Sequence, residues 1–184
     1  AAAATVENLR LRCAGESSWT GLTCSSPAVT LRRIRVEICS NGGFAISAAS
    51  GRADDLVAYA NGGTGILLNG GATVLAHATA ASNGGFGIRR SAGTATVSSS
   101  ISWSNGGGNY QGFASSDLSH SNGSATAAGS FGNINANPLF VNAAAGDLNL
   151  QSTSPCIDAA EDAIAFPVLL DHDERPRAVD GRLL

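Results

Sequence analysis

Few residues of this chain could carry out chemistry, and the acids among them avoid its middle. No Asp or Glu occurs between Leu56 and Ser116. Enzymes that cleave polysaccharides need paired carboxylates, or carboxylates together with a base. Lys is absent, and Arg stays protonated, so it clamps carboxylates well but is a poor base. If the chain is an enzyme, we expect its catalytic site to combine Glu37, Asp54, Asp55, Arg32 and Arg52. The alternative for Asp54 and Asp55 is a solvated turn.

Three other groups are weaker candidates for chemistry. The sequence DLSH at 117–120 holds Asp, Ser and His, but a catalytic triad is defined by geometry, so a polar loop is the alternative. DHDE at 171–174 offers the oxygen ligands that Ca²⁺ prefers, or forms an ordinary acidic turn. His77 stands in an alternating strand pattern, where we expect a surface residue or a satisfied core residue. We therefore predict no metal and no cofactor.

Two aromatic residues suggest binding rather than catalysis. Trp103 and Tyr110 flank one repeated corner of the chain. Exposed aromatic rings stack well on sugar rings, because each buries a large area at little entropic cost. The prediction is that Trp103 and Tyr110 bind polysaccharide; packing into the core is the alternative.

The four cysteines are read separately. Cys13 and Cys24 enclose most of a loop-like insert (13–27), and a disulfide between them would pin it; free thiols are the alternative. Cys39 and Cys156 stand beside apolar residues, where Cys behaves as a small buried hydrophobe. The spacing of the cysteines matches no zinc pattern.

Composition limits the class of protein. The 184 residues are enough for one domain with a core, and the net charge is −3. Nucleic-acid modules normally display a basic stripe, so no nucleic-acid partner is predicted. The arginines of RRIR (32–35) are read as a solvated strand face. A membrane-spanning helix needs an apolar run of about 18 residues or more, and no run in this chain is that long, so no membrane span is predicted.

A seven-residue motif recurs at intervals of about 20 to 22 residues. A repeat of this length predicts a repeat architecture, whose strands and corners would position these side chains. The second residue of each copy is an Asn followed by Gly-Gly, at Asn41, Asn61, Asn83 and Asn105. Five residues after each Asn stands a large apolar residue, namely Ile46, Ile66, Ile88 and Tyr110. Asn and Gly tolerate the left-handed backbone of a sharp corner, and stacked Asn side chains can form a hydrogen-bonded ladder.

The runs before each Asn are rich in β-branched and small residues and read as strands. A unit of about 22 residues cannot bury its own apolar face, but stacked copies can. The sequence therefore predicts an all-β, right-handed parallel β-helix over residues 1–150, followed by an irregular closing segment at 151–184. A β-propeller fits less well, since its repeat is about 40–50 residues.

This pattern resembles the pectate-lyase-like parallel β-helix proteins over roughly residues 4–150. Four further pieces resemble the C-terminal end of bacterial choice-of-anchor Q surface proteins: NPLFV (137–141), GDLNL (146–150), SPCID (154–158) and RPRAVDG (175–181). Glu174 departs from the Gly or Asn of that family, and DGRLL stops before its closing strand. The resemblance implies a secreted or cell-surface location in a bacterium.

These observations favour a non-catalytic structural or binding module that is adhesin-like, glycan-binding or self-assembling. Its expected partners are a polysaccharide or other copies of the chain, stacked end to end through the unpaired edge of the first coil. The alternative is a polysaccharide lyase, a glycoside hydrolase or a degenerate relative of either.

Overall fold

The computed structural model describes residues 3–13, 18–123 and 128–161. These residues form fifteen strands and two 3-10 helices of three residues each. The helices are Ser115–Asp117 and Ala143–Ala145. The strands are β1 (Ala4–Arg12), β2 (Leu22–Cys24), β3 (Ala28–Glu37), β4 (Phe44–Ile46), β5 (Ser50–Tyr59), β6 (Ile66–Asn69), β7 (Ala72–Ala76), β8 (Thr79–Ala81), β9 (Phe86–Ala92), β10 (Thr96–Ser98), β11 (Ile101–Trp103), β12 (Gly108–Gln111), β13 (Leu118–Ser119), β14 (Phe140–Asn142) and β15 (Asp147–Leu150).

Two parallel sheets wind together into a solenoid of about five turns. One sheet has the order β1-β3-β5-β7-β10-β13, and the other has the order β12-β9-β6-β4-β2. Strand β5 also pairs with β8, and β8 pairs with β11, so the long strands of early coils continue as two shorter strands in later ones. The prediction of an all-β parallel solenoid with coils of about 22 residues is confirmed.

The register between coils corrects the alignment of the repeats. Ile66 pairs with Ile88, which pairs with Tyr110, as expected from the sequence. The residue that precedes Ile66 in this stack is Phe44, whereas Ile46 pairs with Leu68. The Asn ladder advances by 22 residues from Asn61 to Asn83. Asn41 precedes Asn61 by only 20 residues. An alignment of the copies on Asn therefore misplaces the first copy by two positions.

The core is a set of inward stacks, and one of them alternates larger and smaller side chains. One stack runs through Leu31, Ala53, Leu75, Val97 and Leu118, and all five side chains are buried. Period-2 alternation places these residues inside while their neighbours in each strand point outward. Alternating sizes let neighbouring coils interlock, and this packing holds the outward residues at a fixed spacing.

The corner glycines are required by close packing rather than by a left-handed backbone. A Cβ atom on Gly84 would lie 2.2 Å from the carbonyl oxygen of Gly62 in the preceding coil. Neither glycine has a positive φ; the left-handed residues instead come just before the Asn, at Ala60 (φ 51°) and Ser82 (φ 57°). The expectation that Asn and Gly supply the left-handed conformation at this corner is therefore wrong.

Three of the four repeated asparagines form a ladder, which is buried at Asn61 and Asn83 and half-buried at Asn105. The Nδ2 of Asn61 donates to the Oδ1 of Asn83, and the Nδ2 of Asn83 donates to the Oδ1 of Asn105, both at 2.9 Å. In the preceding coil this position belongs to Cys39, whose backbone N–H donates to the Oδ1 of Asn61 at 3.0 Å. Asn41 lies two residues further on and is exposed, so it stands outside the ladder.

The disulfide joins Cys13 to Cys39, which corrects the predicted pair of Cys13 with Cys24. Strand β1 lies beside β3 with Arg12 opposite Glu37, so the two strand ends bring Cys13 to Cys39, with Cα atoms 4.5 Å apart. Cys24 is a free thiol in the other sheet.

Two predicted segment limits also change. The insert 13–27 is not all loop, because β2 lies within it and pairs with β4. The parallel coils do not extend to residue 150, because β14 and β15 form an antiparallel hairpin. The last parallel bridge joins Asn122 to Ile134.

Candidate functional site

The most chemically varied part of the molecule is a bend at which one sheet turns within each coil. Six successive coils place a left-handed residue at this bend, beginning with Asn8 and Arg33. The next four are Asp55, His77, Ser99 and His120, and we call these four residues the bend column. All four have a left-handed backbone, with φ between 46° and 56°. Neighbouring members of the column lie on adjacent strands, so their backbones are about 4.8 Å apart.

A second bend of the same conformation carries ordinary residues. Ile38, Ala60, Ser82 and Ser104 stack there in the same way, with φ between 51° and 59°. Left-handed geometry is therefore met by an aliphatic residue, an Ala or a Ser, and does not by itself call for an acid and two imidazoles. The presence of an acid and two imidazoles in the bend column therefore needs another reason. A functional site is one such reason, because non-Gly residues held at positive φ are enriched at functional sites.

His77 is held by a buried carboxylate. Its Nδ1 lies 2.8 Å from the Oδ1 of Asp54, whose side chain is 1% exposed, whereas the His77 side chain is 15% exposed. Asp54 precedes the bend by one residue in the coil before His77. This contact fixes the ring and leaves Nε2 as the nitrogen that a ligand can reach. Sequence reasoning missed this pairing, because Asp54 and His77 are neighbours only through the register of the coils.

A cleft of about 300 Å³ opens beside the bend column, and we call it the bend cleft. All four members of the column line it on one side. Apolar side chains form much of the remaining wall, from the coils and from β15: Val57, Ile101, Ile134, Leu148 and Leu150. A largely apolar cleft with a few convergent polar groups is the usual form of a small-molecule site.

Two groups near the bend cleft have restricted roles. The Oγ of Ser99 accepts a hydrogen bond from the backbone N–H of Glu161 at 3.0 Å, so its own proton is free to be donated. The backbone N–H groups of Ser99, Ser100 and Ile101 all donate within the coil ladder. An oxyanion hole needs donors aimed at the reacting atom, so this arrangement does not suit acyl transfer by Ser99.

Cys156 also lines the bend cleft, but it is not activated. Burial raises the pKa of its thiol, although hydrogen bonds from Asn122 and Ser154 oppose that rise. The thiolate is the nucleophile, so a raised pKa makes this residue unreactive.

The hairpin β14–β15 covers one outward face of the coils and lines both the bend cleft and a second cleft. The hydroxyl of Tyr59 donates to the carbonyl of Ala143 at 2.7 Å, and the Nη2 of Arg35 donates to the carbonyl of Gly146 at 2.8 Å. Leu148 and Phe140 pack against the patch that contains Tyr59. Gly146 (φ 79°) lets the turn approach Arg35 and Tyr59, a role that its place in GDLNL did not reveal.

A second, more polar cleft of about 480 Å³ lies on the other side of β15. It is lined by Arg10, Arg33 and Arg35, together with Asn8 and the hairpin turn. Behind these residues Glu37 accepts hydrogen bonds from both Arg10 and Arg35, the shortest at 2.7 Å. Burial alone would raise the pKa of the Glu37 carboxyl, but the two arginines outweigh it and lower the pKa.

The structure does not gather the predicted catalytic residues into one cleft. Glu37 belongs to the arginine cluster, and Asp55 lines the bend cleft. Asp54 pairs with Arg32 in the strand register and lies near Arg52. Burial, and then the charge of Arg32, lower the pKa of the Arg52 guanidinium, while Asp54 opposes them. Asp54, Arg32 and Arg52 therefore share one face, apart from Glu37.

The two aromatic residues predicted to bind polysaccharide, Tyr110 and Trp103, also lie in different environments. Tyr110 packs against the core, and its hydroxyl donates to the backbone carbonyls of Ser100 and Asn122 at 3.1 and 3.3 Å. Burial raises the pKa of this phenol. Tyr110 thus takes the alternative role of core packing, with its ring half-buried. Trp103 is half-buried on β11, and sugar binding by this residue stays a prediction.

The remaining candidates are quickly placed. Asp117 forms an ion pair with Arg90 at 2.9 Å, so DLSH (117–120) does not assemble a triad; His120 belongs to the bend column instead. DHDE (171–174) lies outside the described residues. Among the residues that the structure describes, no cluster of three His, Cys, Asp or Glu side chains is placed to hold a metal. Nor does that part of the chain contain a helix long and apolar enough to cross a membrane.

Comparison with known proteins leaves the architecture as the firm result. No protein-family model matches the sequence, and no curated protein or solved structure matches it significantly either. The strand order of the two sheets identifies the parallel β-solenoid.

Proposed function

We propose that the protein is a non-catalytic structural and binding module of a secreted or cell-surface bacterial protein. The proposal rests on one observation: polar side chains form contacts that connect each coil to the next. A disulfide, the ladder from Asn61 to Asn105 and the ion pair of Glu37 with Arg10 all join successive coils. A solenoid fastened along its length is a rigid spacer and presents fixed lateral surfaces.

The disulfide also supports the proposed location. Cys13 and Cys39 form a bond that persists in oxidising compartments, such as the bacterial periplasm and cell surface. The pectate-lyase-like and choice-of-anchor Q resemblances agree with this location, and they remain proposals that rest on the motifs of the sequence.

Binding of carbohydrate and self-assembly are separate forms of this function, and one set of experiments separates them. Purified protein would be sedimented with insoluble polysaccharides while products in solution are assayed for new reducing ends and unsaturated sugars. We expect retention without products. Light scattering over a concentration series would report stacking, since open-ended growth indicates pairing between coil ends and a constant mass indicates a lateral binding function.

A second candidate function is a carbohydrate-active enzyme or its degenerate relative, and one contact favours it. Asp54 holds His77 in a fixed orientation and shares a face with Arg32 and Arg52. A carboxylate–imidazole pair of this kind is a common base in catalysis. Product formation that Asp54→Asn abolishes, while Glu37→Gln leaves it intact, would replace the first proposal with this one.

A further inference from the structure

The bend cleft carries a more specific inference about what the module binds. It combines a line of polar groups with an apolar wall in a space of about 300 Å³, which suits a ligand the size of one or two sugar rings. Each member of the bend column is one strand from the next, so the polar groups repeat about every 4.8 Å.

The polar groups in this cleft offer mixed hydrogen bonding. His77 presents Nε2 and is held at Nδ1 by Asp54, so its ring is already oriented. The Oγ of Ser99 accepts from the N–H of Glu161, and the hydroxyl proton is available to donate to a ligand. The Nδ1 of His120 is buried, has no hydrogen-bond partner among the described residues and lies 3.8 Å from the Oε2 of Glu161. Imidazole and hydroxyl groups both donate and accept, as the hydroxyls of a sugar do.

Charge around the cleft disfavours an acidic ligand. Asp55 lines the cleft, and Asp54 and Glu161 lie next to lining residues. Among the described lining residues no Arg is present. Arg33, which stands opposite Asp55 in the preceding coil, is held by Asn8 and Glu7 and lines the other cleft. A carboxylate or sulfate on the ligand would meet these acids without a guanidinium to pair with it, and like-charge contacts are costly.

We infer that the bend cleft binds a neutral sugar residue, with its hydroxyls on the bend column and its C–H face on the apolar wall of β15 and the coils. This inference deepens the proposed binding function and rests on it. It names an uncharged sugar, in contrast to the uronates on which an acidic-polysaccharide enzyme would act.

The test is a titration of isotope-labelled protein with single sugars, followed by amide chemical shifts. The probes are glucose, galactose and mannose, with glucuronate and glucosamine as charged analogues of glucose. We expect at least one neutral hexose to bind with Kd on the order of 1 mM, with shifts centred on Ser99 and Ile101. Binding of glucuronate should be at least tenfold weaker than that of glucose.

Two serines in the same backbone conformation provide a matched pair of variants. Ser99 stands in the bend column, and Ser104 stands at the second bend, with φ of 47° and 55°. Ser99→Ala should weaken sugar binding about fivefold, the equivalent of one hydrogen bond, and Ser104→Ala should leave it unchanged. Thr79→Phe, which fills the cleft floor from β8, should weaken binding more than tenfold. Thermal melting would verify that each variant is folded.

Three results would overturn the inference. They are the lack of binding by all three neutral hexoses, tighter binding of either charged analogue, and equal effects of Ser99→Ala and Ser104→Ala. None of them touches the wider proposal, because retention on polysaccharide and growth by stacking are measured separately on the unmodified protein.

Discussion

Asn83 stands at the centre of the side-chain ladder, and its replacement by Ala should be among the costly changes of a polar residue. The side chain is 1% exposed and takes part in four hydrogen bonds. Its Oδ1 accepts from the backbone N–H and the Nδ2 of Asn61, at 3.1 and 2.9 Å. Its Nδ2 donates to the carbonyl of Ala58 at 3.0 Å and to the Oδ1 of Asn105 at 2.9 Å.

The magnitude follows from what Asn83→Ala leaves behind. The N–H of Asn61 and the carbonyl of Ala58 lose a partner in a buried environment, and each unsatisfied group costs about 1–3 kcal/mol. The Oδ1 of Asn105 keeps the backbone N–H of residue 83. We therefore expect the free energy of unfolding to fall by about 2–6 kcal/mol.

The assay is urea unfolding followed by far-UV circular dichroism, with amide exchange of the Asn61 N–H as a local readout. Asn41→Ala is the control, because Asn41 begins the same Asn-Gly-Gly phrase but is exposed and makes a single long contact to Thr20. Its cost should stay below about 0.5 kcal/mol. If the two variants lose the same stability, the buried ladder does not hold the coils together and the reasoning is refuted.

Three further predictions concern the core, the charge cluster and the disulfide. Ile66→Asp places a charge at a fully buried position and should cost more than about 3 kcal/mol; a wild-type melting temperature would contradict the inward assignment. Burial opposes ionisation of Glu37, but its arginine partners outweigh burial, so its folded pKa lies below its unfolded value. The resulting stabilisation is present above about pH 4.5 and is lost as the pH falls further, and Glu37→Gln should flatten that acid limb in a series of unfolding titrations. Removal of the disulfide by Cys13→Ser should cost about 2–4 kcal/mol; a non-reducing peptide map should link Cys13 to Cys39, and a link to Cys24 would contradict the structure.

Much of the fold was predictable from the sequence because the solenoid is built from local repeats. A coil of about 22 residues places its own corner and strands, and the next coil repeats the solution. Ile66 and Ile88 could be assigned to the inside because alternation and period agree there. The alignment failed for Ile46, since the spacing of Asn-Gly-Gly and the spacing of the ladder differ in the first copy.

The candidate site was far less visible. Asp54 and His77 are far apart in the sequence, and nothing near either one marks the other as a partner. Ser99 gives no signal, because it lies in a run of serines. A strict register between coils would have placed Asp55, His77 and Ser99 in one column. In the sequence, the alternation of the strands before each Asn shifts by one residue between copies, so this column could not be recognised.

The sequence by itself determined the all-β class, the period and the apolar stacks, because these depend on residue patterns within one coil and its neighbour. Tertiary structure alone decided three features. Those are the pairing of Cys13 with Cys39, the folding of β14–β15 back over Tyr59, and the assembly of the bend cleft from coils and hairpin. Each depends on where distant segments meet in space, and hydrophobic periodicity contains no information about such contacts.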